Sequence, residues 1–226
     1  MKGVMDIEYH HKRLGSRAYR YRLRRRSEEV VRILKDFYNS SPIALLDIGT
    51  ADALMLNYIH KRLRGARCVG LDLSMSLLSA NTNKEINLIA GDATKLPFKS
   101  NSFDAVVATA VIEHVPNPEI LIKECHRVLR NEGIAILTTP VPFFDTIASL
   151  IGHVKGEDHY EKFTLKSLAR LLTNAGLEIV EARKFMVSPV GFPVELFIEG
   201  FLRKIGADFF LLNQLVIGKK KERTNF

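Results

Sequence analysis

The chain has 226 residues, of which 46% are hydrophobic and 26% charged, with 14 glycines and 8 prolines. That is ordinary globular composition; it excludes disordered, collagen-like and low-complexity proteins, and the length suits one domain with a full core. The net charge of +8 sits at the two ends: residues 1–40 hold 11 Lys/Arg against 5 Asp/Glu, residues 219–226 hold 4 against 1, and the stretch between is close to neutral. No run of about 18 uncharged apolar residues offers a membrane span, and the opening residues lack the apolar stretch of a signal peptide. Two cysteines, Cys68 and Cys125, are too few for a disulfide framework or a zinc site. A soluble, cytoplasmic protein is expected.

In chain order, residues 1–40 read as a basic helical extension, with an amphipathic helix starting at Ser27 and bearing Val30, Ile33, Leu34 and Phe37. Residues 43–48 read as a buried strand that stops at Gly49. Residues 53–64 follow as a helix with Leu54, Tyr58 and Leu63 on its apolar side and Gly65 as C-terminal cap. A strand over 68–72, a short helix over 74–82, and strands over 86–90 and 103–108 come next. The helix over 118–129 is expected to turn Ile120, Leu121, Cys125, Val128 and Leu129 inward. A fifth strand covers 133–138, a helix 163–174, and two final strands 178–185 and 210–217, with an insert over about 188–208 between them. Strands alternating with helices imply a parallel sheet covered on both faces, with an antiparallel last strand. The domain proper is expected over 41–218, followed by a basic tail, 219–226.

Ligands of such sheets sit beyond the carboxyl ends of the strands. After the first strand comes Asp47-Ile48-Gly49-Thr50-Ala51-Asp52-Ala53, where glycine allows close backbone approach and Asp47 can accept from an amino group. Asp72 ends the second strand 23 residues beyond Gly49, the position of an acid that holds ribose hydroxyls. After the third strand, Asp92 can accept from an adenine amino group. Each alone is a weak signal; three acceptors at successive strand ends point to a nucleoside site.

The runs Leu45–Leu56, Val69–Ser74, Gly91-Asp92-Ala93-Thr94-Lys95-Leu96-Pro97-Phe98, Ser102–Val107, Val111–Pro118 and Arg127–Gly133 resemble class I S-adenosylmethionine-dependent methyltransferases of the type 11 subgroup. The resemblance covers about residues 42–185 and is carried mainly by Leu-Pro-Phe, Ser-Phe-Asp and Glu-His-Val. It implies an α/β, Rossmann-like, seven-stranded fold and S-adenosyl-L-methionine as cofactor. By position, Asp47, Gly49, Thr50 and Ala51 would wrap the methionine part of the cofactor and Asp72 would hold the ribose diol. Leu73 would pack on the adenine, Asp92 and Ala93 would read its edge, and Thr109 and Ala110 would sit near the sulfonium. Ala51 and Ala53 replace the second and third glycines of the family loop. The extra methyl is harmless at negative φ and costly at positive φ. The single glycine and Asp52, which would repel a diphosphate, argue against a dinucleotide reading.

Methyl transfer needs alignment and exclusion of water, and a base when the acceptor is a hydroxyl or a protonated amine. Base candidates are Glu113 and His114, with His114 preferred, and the cluster Asp158, His159, Tyr160 and Glu161. Glu113-His114 equally serves as a loop anchor. No metal is expected, because Ala110 stands where related quinone enzymes carry an acid. Cys68 and Cys125 read as core residues. The acceptor is expected to be a small molecule, anionic or lipid-like, with O-methylation favoured. The rivals are a non-catalytic cofactor-binding module and an RNA methyltransferase using Arg24, Arg25 and Arg26. The basic segment also reads as a lid or an anion-binding surface, and segment 192–205 as a helix packed on its own core, with lipid or dimer contact as the alternative. A monomer or homodimer fits, with peripheral membrane contact allowed and nucleic acid not favoured.

Overall fold

The computed structural model of the chain describes residues 14–39, 41–144 and 160–222. Asp158 and His159 lie outside the described residues. Along the chain run α1 (Arg17–Tyr38), β1 (Ala44–Ile48), α2 (Leu54–His60), β2 (Arg67–Asp72), α3 (Met75–Leu78), β3 (Asn87–Ala90) and β4 (Phe103–Thr109). A 3-10 turn (Ile112–His114), α4 (Pro118–Val128), β5 (Leu129–Pro140), α5 (Leu165–Asn174) and β6 (Leu177–Phe185) follow. The chain then forms α6 (Glu195–Lys204), a second 3-10 turn (Asp208–Phe210) and β7 (Asn213–Lys220). The seven strands form one sheet in the order β3-β2-β1-β4-β5-β7-β6. The pairings among β1 to β5 are parallel and the last strand, β7, is antiparallel, as expected; its place between β5 and β6 is set by the structure.

The central strands are hydrophobic on both faces because each face is covered. Leu45, Ala105, Val107, Ile134 and Ile136 pack with Val30, Ile33 and Leu34 of α1 and Leu56 and Ile59 of α2. Leu46, Ile48, Val106, Ala108 and Leu137 pack on the other face with Leu121, Ile122 and Cys125 of α4 and Leu168 and Leu172 of α5. Both cysteines are buried core residues. Among the described residues no helix is long and apolar enough to cross a membrane.

Several local expectations are corrected. The first helix starts at Arg17, ten residues before Ser27, and is capped by Ser16, whose hydroxyl accepts from the Tyr19 N–H at 3.4 Å. Ser27 lies inside the helix and donates to the Leu23 carbonyl at 2.8 Å. Apolar spacing could not reveal this start, because the first turns are anchored by charge. Leu54, Ile120 and Phe37 are exposed: α2 turns Met55, Leu56 and Ile59 to the sheet, and α4 turns Leu121, Ile122, Cys125 and Val128. β5 starts at Leu129; its register shifts between the pairs Phe103–Leu129 and Ala105–Ile134, so the turn-like Asn131-Glu132-Gly133 is an irregularity within the strand. β7 runs three residues later than expected and takes in part of the basic tail. Its buried Lys220 ammonium donates to the Asn101 side chain and to the His126 and Leu129 carbonyls at 2.7–2.9 Å.

α1 crosses its sheet face from the carboxyl edge to the amino edge. At one end Arg26 donates to Asn213 Oδ1 at 3.1 Å, where β7 meets Pro140 of β5; at the other the Tyr38 hydroxyl donates to the Asp104 carbonyl at 2.5 Å. Arg25 is buried and pairs with Glu29 at 3.3 Å and Glu199 at 2.9 Å. Arg183 donates to Glu29 at 2.5 Å, and Arg25 and Arg183 lie over the fully buried Phe185 ring. Burial works against the Glu29 carboxylate, but Arg183, Arg25 and Arg32 outweigh it and hold its pKa below the usual range.

The expectation that α6 packs its apolar face on the core is overturned. Its buried residues are Glu195 and Glu199, while Leu196, Phe197, Phe201 and Ile205 face outward. The reason is hydrogen bonding. Glu199 accepts from Arg25 and from the Met186 N–H at 2.9 Å and pairs with Arg203 at 3.1 Å. Glu195 accepts from the Val187 and Ser188 N–H groups at 3.0 and 3.2 Å and from the Tyr21 hydroxyl. Carboxylates with this many donors are held inside.

Candidate active site

The strand order reverses between β1 and β4, so the loops after these strands open a crevice at the carboxyl edge. The loop after β1 turns sharply: Gly49 has φ +71°, Ala51 +50° and Ala53 +61°. A Cβ on Gly49 would fall 2.3 Å from Val111 Cγ2, so glycine is required there by both conformation and space. The two alanines occupy the left-handed region that the sequence analysis identified as the costly case. A left-handed alanine costs about 1 kcal/mol or more, held here by the surrounding fold. Ala110, after β4, is left-handed as well, at φ +53°.

The loop is tied to the next strand. The Gly49 and Thr50 N–H groups donate to the Leu71 carbonyl at 2.7 and 3.1 Å. Asp72 accepts from Ala51 N–H through one oxygen and from Ser74 N–H through the other, both at 2.8 Å. The Gly91 N–H donates to the Asp72 carbonyl at 2.9 Å, which brings Asp92 to the same edge. Asp92 Oδ1 accepts from the Thr94 N–H and hydroxyl at 2.8 Å. Leu73 is half exposed, and Ala93 packs partly buried against the core.

Asp47 is buried at the floor of this edge. Neither of its carboxylate oxygens, nor the Thr50 hydroxyl, makes a hydrogen bond of normal geometry among the described residues. Burial raises the Asp47 pKa from 3.8 to about 7; the neighbouring Thr50 hydroxyl lowers it, and the charge of Asp72 adds to the rise. A buried acceptor pair without a donor fits a ligand that brings one, such as an ammonium group. Asp47, Asp52, Asp72 and Asp92 along one edge favour a cationic over a diphosphate ligand.

At the end of β4, the Thr109 hydroxyl lies 3.3 Å from Met55 Sδ, and the Ala110 N–H donates to the Thr138 carbonyl at 2.8 Å. Val111 covers Gly49 and starts the 3-10 turn that carries Glu113, which is buried, and His114, which is half-buried. The Glu113 carbonyl accepts from the Tyr160 N–H at 2.8 Å, so this turn joins the strand end to the segment around Tyr160. Among the described residues no group of three or more His, Cys, Asp or Glu side chains could hold a metal ion.

The structure thus gathers Asp47, Gly49, Thr50, Ala51, Asp72, Asp92, Thr109, Ala110 and His114 along the ends of β1 to β4. Val111, Ser74 and Leu71 were missed: their contributions are a packing contact and backbone bonds, which no side-chain motif signals. Other motif residues prove to be braces. Arg127 donates to the Leu96 and Phe98 carbonyls and to Glu124, which accepts from the Leu96 N–H, so together they hold the Leu96-Pro97-Phe98 loop. Asp104 accepts from the Ala44 N–H and from Arg130 at 2.7 Å, fixing the start of β1.

Residues 46–137 match the family described as methyltransferase domain. Malonyl-(acyl-carrier protein) O-methyltransferase 1 of Coxiella burnetii is 30% identical over 115 residues, 51% of this chain and 39% of that protein. The demethylmenaquinone methyltransferase of a Mycobacterium species is 29% identical over 143 residues, 60% of this chain and 58% of that protein. The chain therefore aligns with between two fifths and three fifths of these relatives. Haemonchus contortus phosphoethanolamine N-methyltransferase 2, solved with S-adenosyl-L-methionine, superposes with a TM-score of 0.65 at 18% identity over 86% of this chain and 53% of that one. The (4+2)-cyclase SpnF superposes at 0.62 with 16% identity over 85% of this chain and 81% of that one. The fold is therefore shared with proteins of different chemistry, and function must rest on the site.

Proposed function

We propose that the chain is a class I S-adenosylmethionine-dependent methyltransferase that acts on a small organic acceptor, a reading supported by the match of residues 46–137 to a methyltransferase domain. The observation that carries the reading is the donor-less carboxylate of Asp47, buried beneath a strained loop that Asp72 braces at the reversal of strand order. S-adenosyl-L-methionine, when bound, supplies an activated methyl group. Asp47 and Thr50 would receive its amino-acid end, Asp72 the ribose hydroxyls, and Asp92 with Ala93 the adenine edge. Asp72 already accepts one backbone N–H at each oxygen, which fixes its orientation and leaves lone pairs for the diol. Thr109 and Ala110 would line the methionine side.

His114, on the turn that Val111 begins, is the residue we assign to remove the acceptor proton, and the acceptor is a hydroxyl in this reading. Glu113 is instead an anchor, supported by its burial and by the Tyr160 bond to its carbonyl. The relatives named for demethylmenaquinone and for malonyl-(acyl-carrier protein) support an apolar or anionic acceptor group. An RNA acceptor is disfavoured: Arg25 is buried in ion pairs and Arg26 is bonded to Asn213, so two of its three proposed cations serve the fold.

The test is thermal unfolding with S-adenosylhomocysteine, followed by transfer of labelled methyl groups from S-adenosylmethionine to small-molecule extracts. At ligand near 100 times Kd the expected stabilisation is about 2.7 kcal/mol. His114→Ala should then lower kcat by about 100-fold or more and flatten the acid limb of its pH profile. Stabilisation without transfer to any acceptor would indicate a binding module; no stabilisation at millimolar ligand would refute the cofactor site.

A further inference from the structure

We propose that the outward face of α6, with the segment before it, seats the protein on an anionic lipid surface; this is independent of the methyltransferase reading. The helix is built inside out. Phe197 is 77% exposed, Leu196 64%, Ile205 57% and Phe201 53%, and the exposed ring pair Phe209–Phe210 adjoins the helix on the following turn. An apolar face of this extent marks an interaction surface.

Its orientation is fixed by the fold. Glu195 and Glu199, the residues an amphipathic helix would show to water, are locked inward by Tyr21, Arg25, Arg203 and three backbone N–H groups. Rotating the helix to hide its phenylalanines would break all of these bonds. The buried carboxylates therefore also remove negative charge from this face.

What remains around the apolar face is cationic. A surface cleft of about 550 Å³ separates Arg17 and Arg24 of α1 from Val190, Phe192 and Val194 on its other wall, and Arg20 extends the basic wall. Arg17, Arg20 and Arg24 are exposed, as is Lys204 at the end of α6. Among the described residues the acids nearby are Glu28, 3.5 Å from Arg24, and Asp208, 3.7 Å from Lys184; each of these pairs is neutral overall, so the net positive charge of the rim comes from Arg17, Arg20 and Lys204. Apolar side chains rimmed by arginines match a bilayer interface, where rings enter the acyl boundary and cations meet headgroups. A second copy would set two cationic rims against each other, so lipid is the occupant that the charge distribution selects. Seating by this face would bring the carboxyl edge of β6, beside α6, toward the membrane.

The experiment is flotation of the full chain with vesicles of equal parts phosphatidylglycerol and phosphatidylcholine, against vesicles of phosphatidylcholine alone. Binding is expected only with the anionic vesicles. It should weaken about tenfold or more in Phe197→Ser/Phe201→Ser and about fivefold for each arginine removed in Arg17→Gln and Arg24→Gln. Unchanged thermal unfolding of these surface variants would exclude misfolding. No binding at about millimolar lipid, or binding unaffected by the phenylalanine changes, overturns the proposal. So does a concentration-dependent dimer that Phe197→Ser dissociates, which would make the face a self-interface.

Discussion

Asp47→Asn separates the cost of the buried carboxylate from its use. In the folded chain Asp47 titrates near 7 rather than 3.8 because burial disfavours its charge. Between those values the unfolded chain is ionised and the folded chain is protonated. The folded state binds the extra proton, so stability falls as pH rises through this window and levels off above about 7. The full loss is roughly 4 kcal/mol by about pH 8, and about half of that by pH 5.5. Asparagine cannot ionise, but its buried amide costs about 1–3 kcal/mol at every pH. That penalty cancels when two pH values are compared. Urea unfolding should show the stability of the variant relative to the parent improving by about 2 kcal/mol from pH 5.5 to pH 8. S-adenosylhomocysteine binding should move the other way, about tenfold weaker or more in the variant through loss of a charge-assisted bond to the ammonium group. A pH-independent stability difference would refute the raised pKa. Equal ligand affinity would refute the assignment of Asp47 to the amino-acid end.

Ala51→Gly and Ala53→Gly should each stabilise the chain by about 0.5–1 kcal/mol, because φ of +50° and +61° is strained for alanine and free for glycine. A rise in thermal midpoint of about 2–4 °C per kcal/mol is the readout. Glu199→Gln should cost about 1.5–3 kcal/mol, because it removes one of the two buried carboxylates that pair with Arg25 while Glu29 remains, and urea unfolding measures it.

Most of the sheet could be read from the sequence, because a buried parallel strand is a local signal: an apolar run ended by a glycine or an acid. The acids at the ends of the first three strands were legible for the same reason, and their spacing pointed to a nucleoside. The start of α1 was not, because its first turns contribute Arg25 to a buried ion-pair network completed by Glu199, distant in sequence. The sign of φ at Ala51 and Ala53 was equally hidden. The same residues are unstrained or strained depending on how the loop passes Val111 and hydrogen-bonds Leu71 and Asp72.

The sequence by itself determined the fold class and the antiparallel last strand, through short-range pattern and a motif resemblance, and it supplied the strand-end acids on which the proposed ligand site rests. Only the tertiary structure decided which face of α6 is hidden. Periodicity records that a helix has an apolar side and a charged side. Whether the charged side can be buried depends on the donors that meet it, and here Arg25, Tyr21 and the N–H groups after β6 are supplied by other parts of the chain.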